Sequence, residues 1–130
     1  MEIIHIMTRH AETIHPDDLL AKAKSIMDVA GFRRLVVLKD DEVVGMLTDR
    51  DLRAQLGYLD TTKVNAAMST PVISVGPHSP VQEAARLMLK HKVGGLPVLD
   101  NKKIVGIVTT IDMIRALLEI VEDFERKRAS

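Results

Sequence analysis

The chain contains no cysteine, which excludes disulfides, thiolate catalysis and thiolate-ligated zinc. Aromatic residues are nearly missing: Phe32, Tyr58 and Phe124 are the whole set. Any core must therefore be aliphatic, and the stacking platforms that bind single-stranded nucleic acid are not available. There is no excess of charge of either sign, with 18 basic and 18 acidic side chains. Global attraction to nucleic acid or to an anionic membrane surface is not expected. No apolar run nears the ~18 residues of a membrane-spanning helix. Met1 to Ile6 lacks the charged-then-apolar order of a signal peptide, so a cytoplasmic location is expected. The histidines His5, His10, His15, His78 and His91 are scattered, with no His-Glu-x-x-His run, and no metal is expected. No P-loop and no nucleophile–base arrangement is marked, and the chain is not expected to be an enzyme.

What the chain has instead is itself, written twice. Displaced by 61 residues, the two halves align without a gap. Met7 falls on Met68, Pro16 on Pro77, Ala23 on Ala84 and Met27 on Met88. Leu35, Val37 and Leu38 fall on Leu96, Val98 and Leu99, and Val44, Gly45, Thr48 and Asp51 on Val105, Gly106, Thr109 and Asp112. A repeat must be recognised before any other feature is read. Copies of about 60 residues are marginal alone, so the pair is the expected unit of folding. The two repeats are bounded at 3–60 and 64–125, with a linker around Tyr58 to Lys63.

Each copy shows the same succession of periodicities. In the second, Val72 to Val75 reads as extended, and Gly76 to Pro80 as a turn with Ser79 as the expected helix cap. Val81, Ala84, Ala85, Leu87 and Met88 mark one face of a helix. Two strands follow, Leu96 to Leu99 and Ile104 to Val108, around a turn at Asp100 to Lys103. A helix then runs from Thr109 to Glu125. In the first copy Thr13 and Ile14 are extended, and Pro16-Asp17-Asp18 is the turn and cap. Leu20, Ala23, Ile26, Met27 and Ala30 line a helix, strands cover 35–38 and 42–47, and Leu52, Leu56 and Leu59 are placed on the next helix. The expected class is α+β, two β-α-β-β-α repeats related by a pseudo-twofold.

The sharpest local signal is Gly45-Met46-Leu47-Thr48-Asp49-Arg50-Asp51, echoed by Gly106-Ile107-Val108-Thr109-Thr110-Ile111-Asp112. In each, a glycine-containing strand meets a helix at a threonine, with an aspartate three residues on. Two readings stay open. Threonine and aspartate at this spacing form a capping-box-like pair. The same geometry offers a ligand the unpaired amides and positive dipole of a helix start, with a carboxylate able to accept from vicinal ribose hydroxyls.

Together these motifs resemble a tandem pair of cystathionine-beta-synthase-type (CBS) domains, a Bateman module. The resemblance covers about residues 3 to 125. It rests on the initial Met7-Thr8 and Met68-Ser69, the proline-led helix starts, Leu96-Pro97-Val98-Leu99-Asp100, and the Gly-x-x-Thr-x-x-Asp run in both copies. It implies a regulatory module without catalytic activity that binds AMP, ADP, ATP or S-adenosylmethionine in clefts between the copies and pairs as a homodimer, signalling through dimer geometry or an unidentified protein target. By position, Asp51 and Asp112 would hold ribose hydroxyls, and Thr48 and Thr109 would reach phosphate or ribose. Thr13-Ile14 and Ser74-Val75 would face the base, with Val36-Val37 and Pro97-Val98 as apolar walls. Arg50 and Arg53 are phosphate candidates in the first copy. Ile111 and Ile114 stand at their places in the second, where Arg115 is close.

Arg9, His10, Arg33 and Arg34 are further phosphate candidates. His10 stands where Pro71 stands, and Arg33-Arg34 where Gly94-Gly95 stand. The copies are thus unequal where a ligand would meet them, and unequal binding is expected. Two other readings remain: a structural dimerisation protein with empty clefts, and, more weakly, a nucleic-acid-binding protein. The last helix, apolar beyond its first-copy counterpart, reads either as a solvated tail or as a dimer contact.

Overall fold

Residues 1–129 are described by a computed structural model of the chain. The aliphatic periodicity of the first copy produces β1 (Thr13–Ile14), α1 (Leu20–Ala30), β2 (Arg34–Lys39), β3 (Glu42–Thr48) and the short α2 (Asp49–Arg53). After α3 (Val64–Ala67) come α4 (Val81–His91), β4 (Gly95–Asp100), β5 (Lys103–Thr109) and α5 (Thr110–Ala129). A single 3₁₀ turn, Ile3–His5, precedes them. Displaced by the repeat length, α1, β2 and β3 start and stop at the same places as α4, β4 and β5.

Strand β1 pairs in parallel with β2, and β2 pairs antiparallel with β3 across a bulge at Val37/Leu38. In the second copy the leading strand is reduced to one parallel bridge, Val75 with Val98, beside the two-stranded sheet of β4 and β5. Both hairpins turn on two residues of positive φ, Asp40-Asp41 and Asn101-Lys102. That is the turn whose twist matches the strands. Helix α1 ends on Gly31 in the left-handed region, and α4 on Lys92 in the same conformation.

The helix starts differ from the caps expected at Asp18 and Ser79. Neither α1 nor α4 has a side-chain cap. The Ser79 hydroxyl accepts from the Gly76 amide at 3.0 Å, and Asp18 from the His15 amide at 3.1 Å, so each hydroxyl or carboxylate closes its own turn. The first helical amides donate to distant carbonyls instead: Leu20 to Thr62 (2.9 Å) and Ala21 to Leu59 (3.0 Å) in α1, Val81 to Met1 (3.0 Å) in α4. These orphan donors of a helix start need a partner, and here the main chain supplies it. Helix α2 also stops at Arg53, short of Leu56 and Leu59, and the chain passes through Gly57 at φ 94°.

Those distant carbonyls show how the repeats are assembled. The chain divides into two compact units. One is His10–Ile73 with Asn101–Ile104; the other joins Met1–Arg9 to Ser74–Asp100 and the chain from Val105 onward. The segment that leads each repeat in sequence therefore belongs to the unit of the other repeat. Met46 pairs with Ser69, and Thr8 pairs with Ile107, by the same antiparallel bridge. The first core gathers Leu20, Ala23 and Met27 from α1, Leu35, Val37 and Leu47 from the sheet, and Val64 from α3. In the second, Ala84, Met88, Leu96, Val98 and Val108 are buried, and Ile3 takes the place of Val64.

The two strand glycines follow from this pairing. A Cβ on Gly45 would lie 2.5 Å from the Met68 sulfur, and one on Gly106 would lie 2.6 Å from the Thr8 carbonyl oxygen. Glycine inside a strand marks such a close approach.

Candidate functional site

At Thr48 the extended strand β3 turns directly into α2, and Thr48 keeps β conformation (φ −119°, ψ 165°). Its amide donates to Asp51 Oδ2 at 2.8 Å, its hydroxyl donates to the same oxygen at 3.1 Å, and the Asp51 amide lies 3.4 Å from the Thr48 hydroxyl. Thr109 and Asp112 repeat these contacts at the start of α5, at 2.9, 3.1 and 3.3 Å. The reciprocal capping box expected from the spacing is present in both copies, each contributing about 1 kcal/mol to its helix. Capping uses only one carboxylate oxygen. The cap leaves the other oxygen of each carboxylate unused.

The two remaining oxygens differ. Asp51 is half-buried, and its Oδ1 takes no hydrogen bond from a side chain among the described residues. Asp112 is 5% exposed, and the Thr8 hydroxyl donates to it, 3.3 Å from Oδ1 and 3.5 Å from Oδ2. The Arg115 guanidinium is 4.0 Å from the same Oδ1. Ser69, the second-copy match of Thr8, lies in the unit that holds Asp51 and makes no such bond with it among the described residues. Thr8 was not singled out as a site residue from sequence. The available signal was the hydroxyl residue following methionine in both copies.

The remaining candidates fall into distinct places. Thr13 is exposed and Ile14 buried, in register with Val36 and Val37, which are fully buried. Val75 and Val98 are paired and buried, Pro97 shows no surface, and Ser74 is half-buried. Arg34 lies opposite Thr48 in the β2–β3 register and is half-buried. Burial lowers its pKa, the Asp49 carboxylate opposes that shift, and Arg33 adds to it.

Arg33 and Arg53 line an open depression of about 450 Å³ with Asp49, floored by Met27, Phe32 and Leu52. Arg53 already donates to Asp49 at 3.0 Å. Neither Thr48 nor Asp51 lines this depression, which sets Arg33 and Arg53 apart from Arg34, the arginine opposite Thr48. Arg50 and Arg9 are exposed, and so is His10, whose Nε2 lies 2.9 Å from Glu12. Among the described residues, no cluster of three His, Asp or Glu side chains could hold a metal ion, and no helix is long and apolar enough to cross a membrane.

The chain is similar in sequence and fold to known proteins. The CBS domain profile matches twice, at residues 3–58 and 64–119. A CBS domain-containing protein of Dictyostelium discoideum is 34% identical, over 90% of this chain and 91% of its own length. The CBS domain pair of protein MJ0100, crystallised with 5′-methylthioadenosine and S-adenosyl-L-methionine, superposes with a TM-score of 0.83 at 25% identity, covering 90% of this chain and 95% of that one. CBSX2 in complex with AMP gives a TM-score of 0.82 at 28% identity, with 92% and 97% covered.

Proposed function

Because the chain belongs to the CBS-domain family, we propose that it is a non-catalytic sensor of adenosyl ligands, AMP, ADP, ATP or S-adenosylmethionine, read out through a protein target or a change in assembly. The observation that carries this reading is the carboxylate at each Thr-x-x-Asp helix start. Its Oδ2 is held by the cap, which fixes the direction of Oδ1. Vicinal ribose hydroxyls are a matching pair of donors, and a hydrogen bond to a charged acceptor is among the stronger ones. The amides of a helix start favour phosphate nearby, and Arg34 adds a half-buried cation beside Thr48 in the first copy. The adenosyl ligands named for MJ0100 and CBSX2 support the class of ligand.

The copies are expected to bind unequally, because Thr8 already occupies part of Asp112 while Asp51 Oδ1 is open. Calorimetric titration with AMP, ATP, S-adenosylmethionine and NAD tests this. Asp51→Ala should lose about 1–3 kcal/mol of binding free energy, roughly a 5- to 150-fold drop in affinity. Asp112→Ala should lose less, and Thr8→Val should tighten the weaker site by freeing its carboxylate. Thermal melts of each variant separate binding from the ~1 kcal/mol lost with the cap. Silence from all four ligands at millimolar concentration would sink the proposal. Equal losses at Asp51 and Asp112 would remove its asymmetry.

A further inference from the structure

The depression between α1 and α2 is lined by neither Thr48 nor Asp51 and has a chemistry of its own. Its floor is apolar: Met27 from α1, Leu52 from α2, and Phe32 and Leu56, which are 37% and 61% exposed. Its rim is charged. Lys24 and Asp28 come from α1, Asp49 and Arg53 from α2, and Arg33 from the turn between α1 and β2. Displaced by the repeat length, the floor stays apolar, as Met88, Val93, Met113 and Leu117. None of the five rim charges recurs: Ala85, Leu89, Gly94, Thr110 and Ile114 stand in their places. Because α4, β4 and β5 keep the bounds of α1, β2 and β3, the fold does not require these charges. A charged rim over an apolar floor is particular to the first copy.

The rim charges do not cancel. Arg53 donates to Asp49 at 3.0 Å and Lys24 to Asp28 at 2.6 Å. Arg33 is exposed and makes no ion pair among the described residues. Its charge bears on Arg34, whose pKa it helps to lower. The main chain around it is fixed: Gly31 closes α1 at φ 74°, and the Asp49 amide donates to the Arg33 carbonyl at 3.0 Å. We propose that this depression binds a small amphipathic monocarboxylate, its flat apolar body resting on Phe32, Leu52 and Leu56 and its carboxylate held by Arg33. The volume of about 450 Å³ is that of a small-molecule site, which spans ~300–1,000 Å³. A guanidinium presents a planar fork that matches both oxygens of a carboxylate, and the Phe32 ring offers its face or edge to a flat ring. A single negative charge answers the one guanidinium left over. A neutral ligand would leave it unanswered, a cation would meet a net positive rim, and a bare inorganic anion would leave the apolar floor wet.

Indole-3-acetate is the probe for the test, and indole-3-acetamide is its uncharged match of nearly equal size. In an NMR titration of the full chain, indole-3-acetate should move the amide signals of Phe32, Arg33 and Leu56 and saturate with a Kd on the order of 1 mM or below. The acetamide should bind about tenfold more weakly. Arg33→Gln should abolish that difference by weakening indole-3-acetate alone, and Leu56→Ser should weaken both probes alike. Both residues are exposed, so both variants should keep the far-UV circular dichroism of the wild type. The probes carry no adenosyl group, and saturating AMP should not displace them, so the outcome is separate from that of the sensing proposal. The absence of saturable shifts at Phe32 and Leu56, equal affinity for the two probes, a difference that survives Arg33→Gln, or displacement by AMP would each overturn the inference.

Discussion

Gly45 and Gly106 occupy equivalent places in the two repeats, yet they should not respond alike to the same mutation. An added methyl at Gly45 meets the end of the Met68 side chain, with the sulfur at 2.5 Å and Cγ at 2.9 Å. Methionine is unbranched and adaptable, so it can swing aside. At Gly106 the methyl meets the Thr8 main-chain oxygen at 2.6 Å. Thr8 is bound there on both sides, its amide donating to Ile107 at 2.8 Å and its carbonyl accepting from Ile107 at 2.9 Å. It can retreat only by breaking that bridge. Gly106→Ala should therefore destabilise by about 1–3 kcal/mol as overpacking does, and Gly45→Ala by less than about 1 kcal/mol. Urea unfolding of the two variants measures the difference, and equal losses would show that the leading segments yield as easily as a side chain. The same strain should reach Asp112, since Thr8 carries its hydroxyl contact.

At the scale of elements, the turn before α4 and the leading 3₁₀ turn are joined by a titrating pair. His78 Nδ1 lies 3.0 Å from Glu2 Oε2. The hydrogen bond to Glu2, helped by its charge, raises His78 above the ordinary 6.5, and the bond to His78 lowers Glu2 from 4.5, with desolvation opposing. A raised histidine stabilises the fold below its unfolded value and loses that contribution as pH rises through the folded one. A lowered carboxylate stabilises above its unfolded value and loses that contribution as pH falls through the folded one. The pair is therefore worth most between about pH 4.5 and 6.5, and both groups are exposed, so the effect is small. In NMR titrations the His78 midpoint should lie above 6.5 and fall back in Glu2→Gln, and the difference in melting temperature between wild type and Glu2→Gln should be largest near pH 5.5 and vanish by pH 8. An unmoved His78 midpoint in Glu2→Gln would exclude the link.

Most of this element plan was legible in the sequence, because β2, β3 and α1 and their second-copy matches are set by burial periodicities that act within a few residues. So were the Thr-x-x-Asp boxes, whose partners are three residues apart. What was not legible depends on the far chain. The caps of α1 and α4 come from Thr62 and Met1, so Asp18 and Ser79 were free to serve their own turns. The contact of Thr8 with Asp112 spans 104 positions, and no local pattern reports it. The depression shared by Arg33 and Arg53 likewise exists only once α1 and α2 are packed together.

For the whole molecule, the exchange of leading segments means that the repeat seen in the sequence and the unit that folds are different stretches of chain. Both leaders resemble each other, so alignment cannot tell which unit receives which. The physical assignment is unambiguous: Val64 is fully buried in the first core, Met68 packs on it, and the Thr62 and Leu59 carbonyls close the start of α1. Residues 3–60 contain none of these except Leu59, and instead carry Ile3, which is buried in the other unit. Burying a valine side chain contributes about 1.5–3 kcal/mol, and a core of this size supplies only ~3–5 kcal/mol in total. A fragment of residues 10–73 should therefore show helical circular dichroism with a cooperative melt, while a fragment of residues 3–60 should melt without cooperativity. Val64→Ala in the longer fragment should bring it close to the shorter one, which ties the difference to the core rather than to length. A cooperative melt of 3–60 matching that of 10–73 would mean that each repeat can accept its own leader, and the exchange would then be a property of the full chain alone.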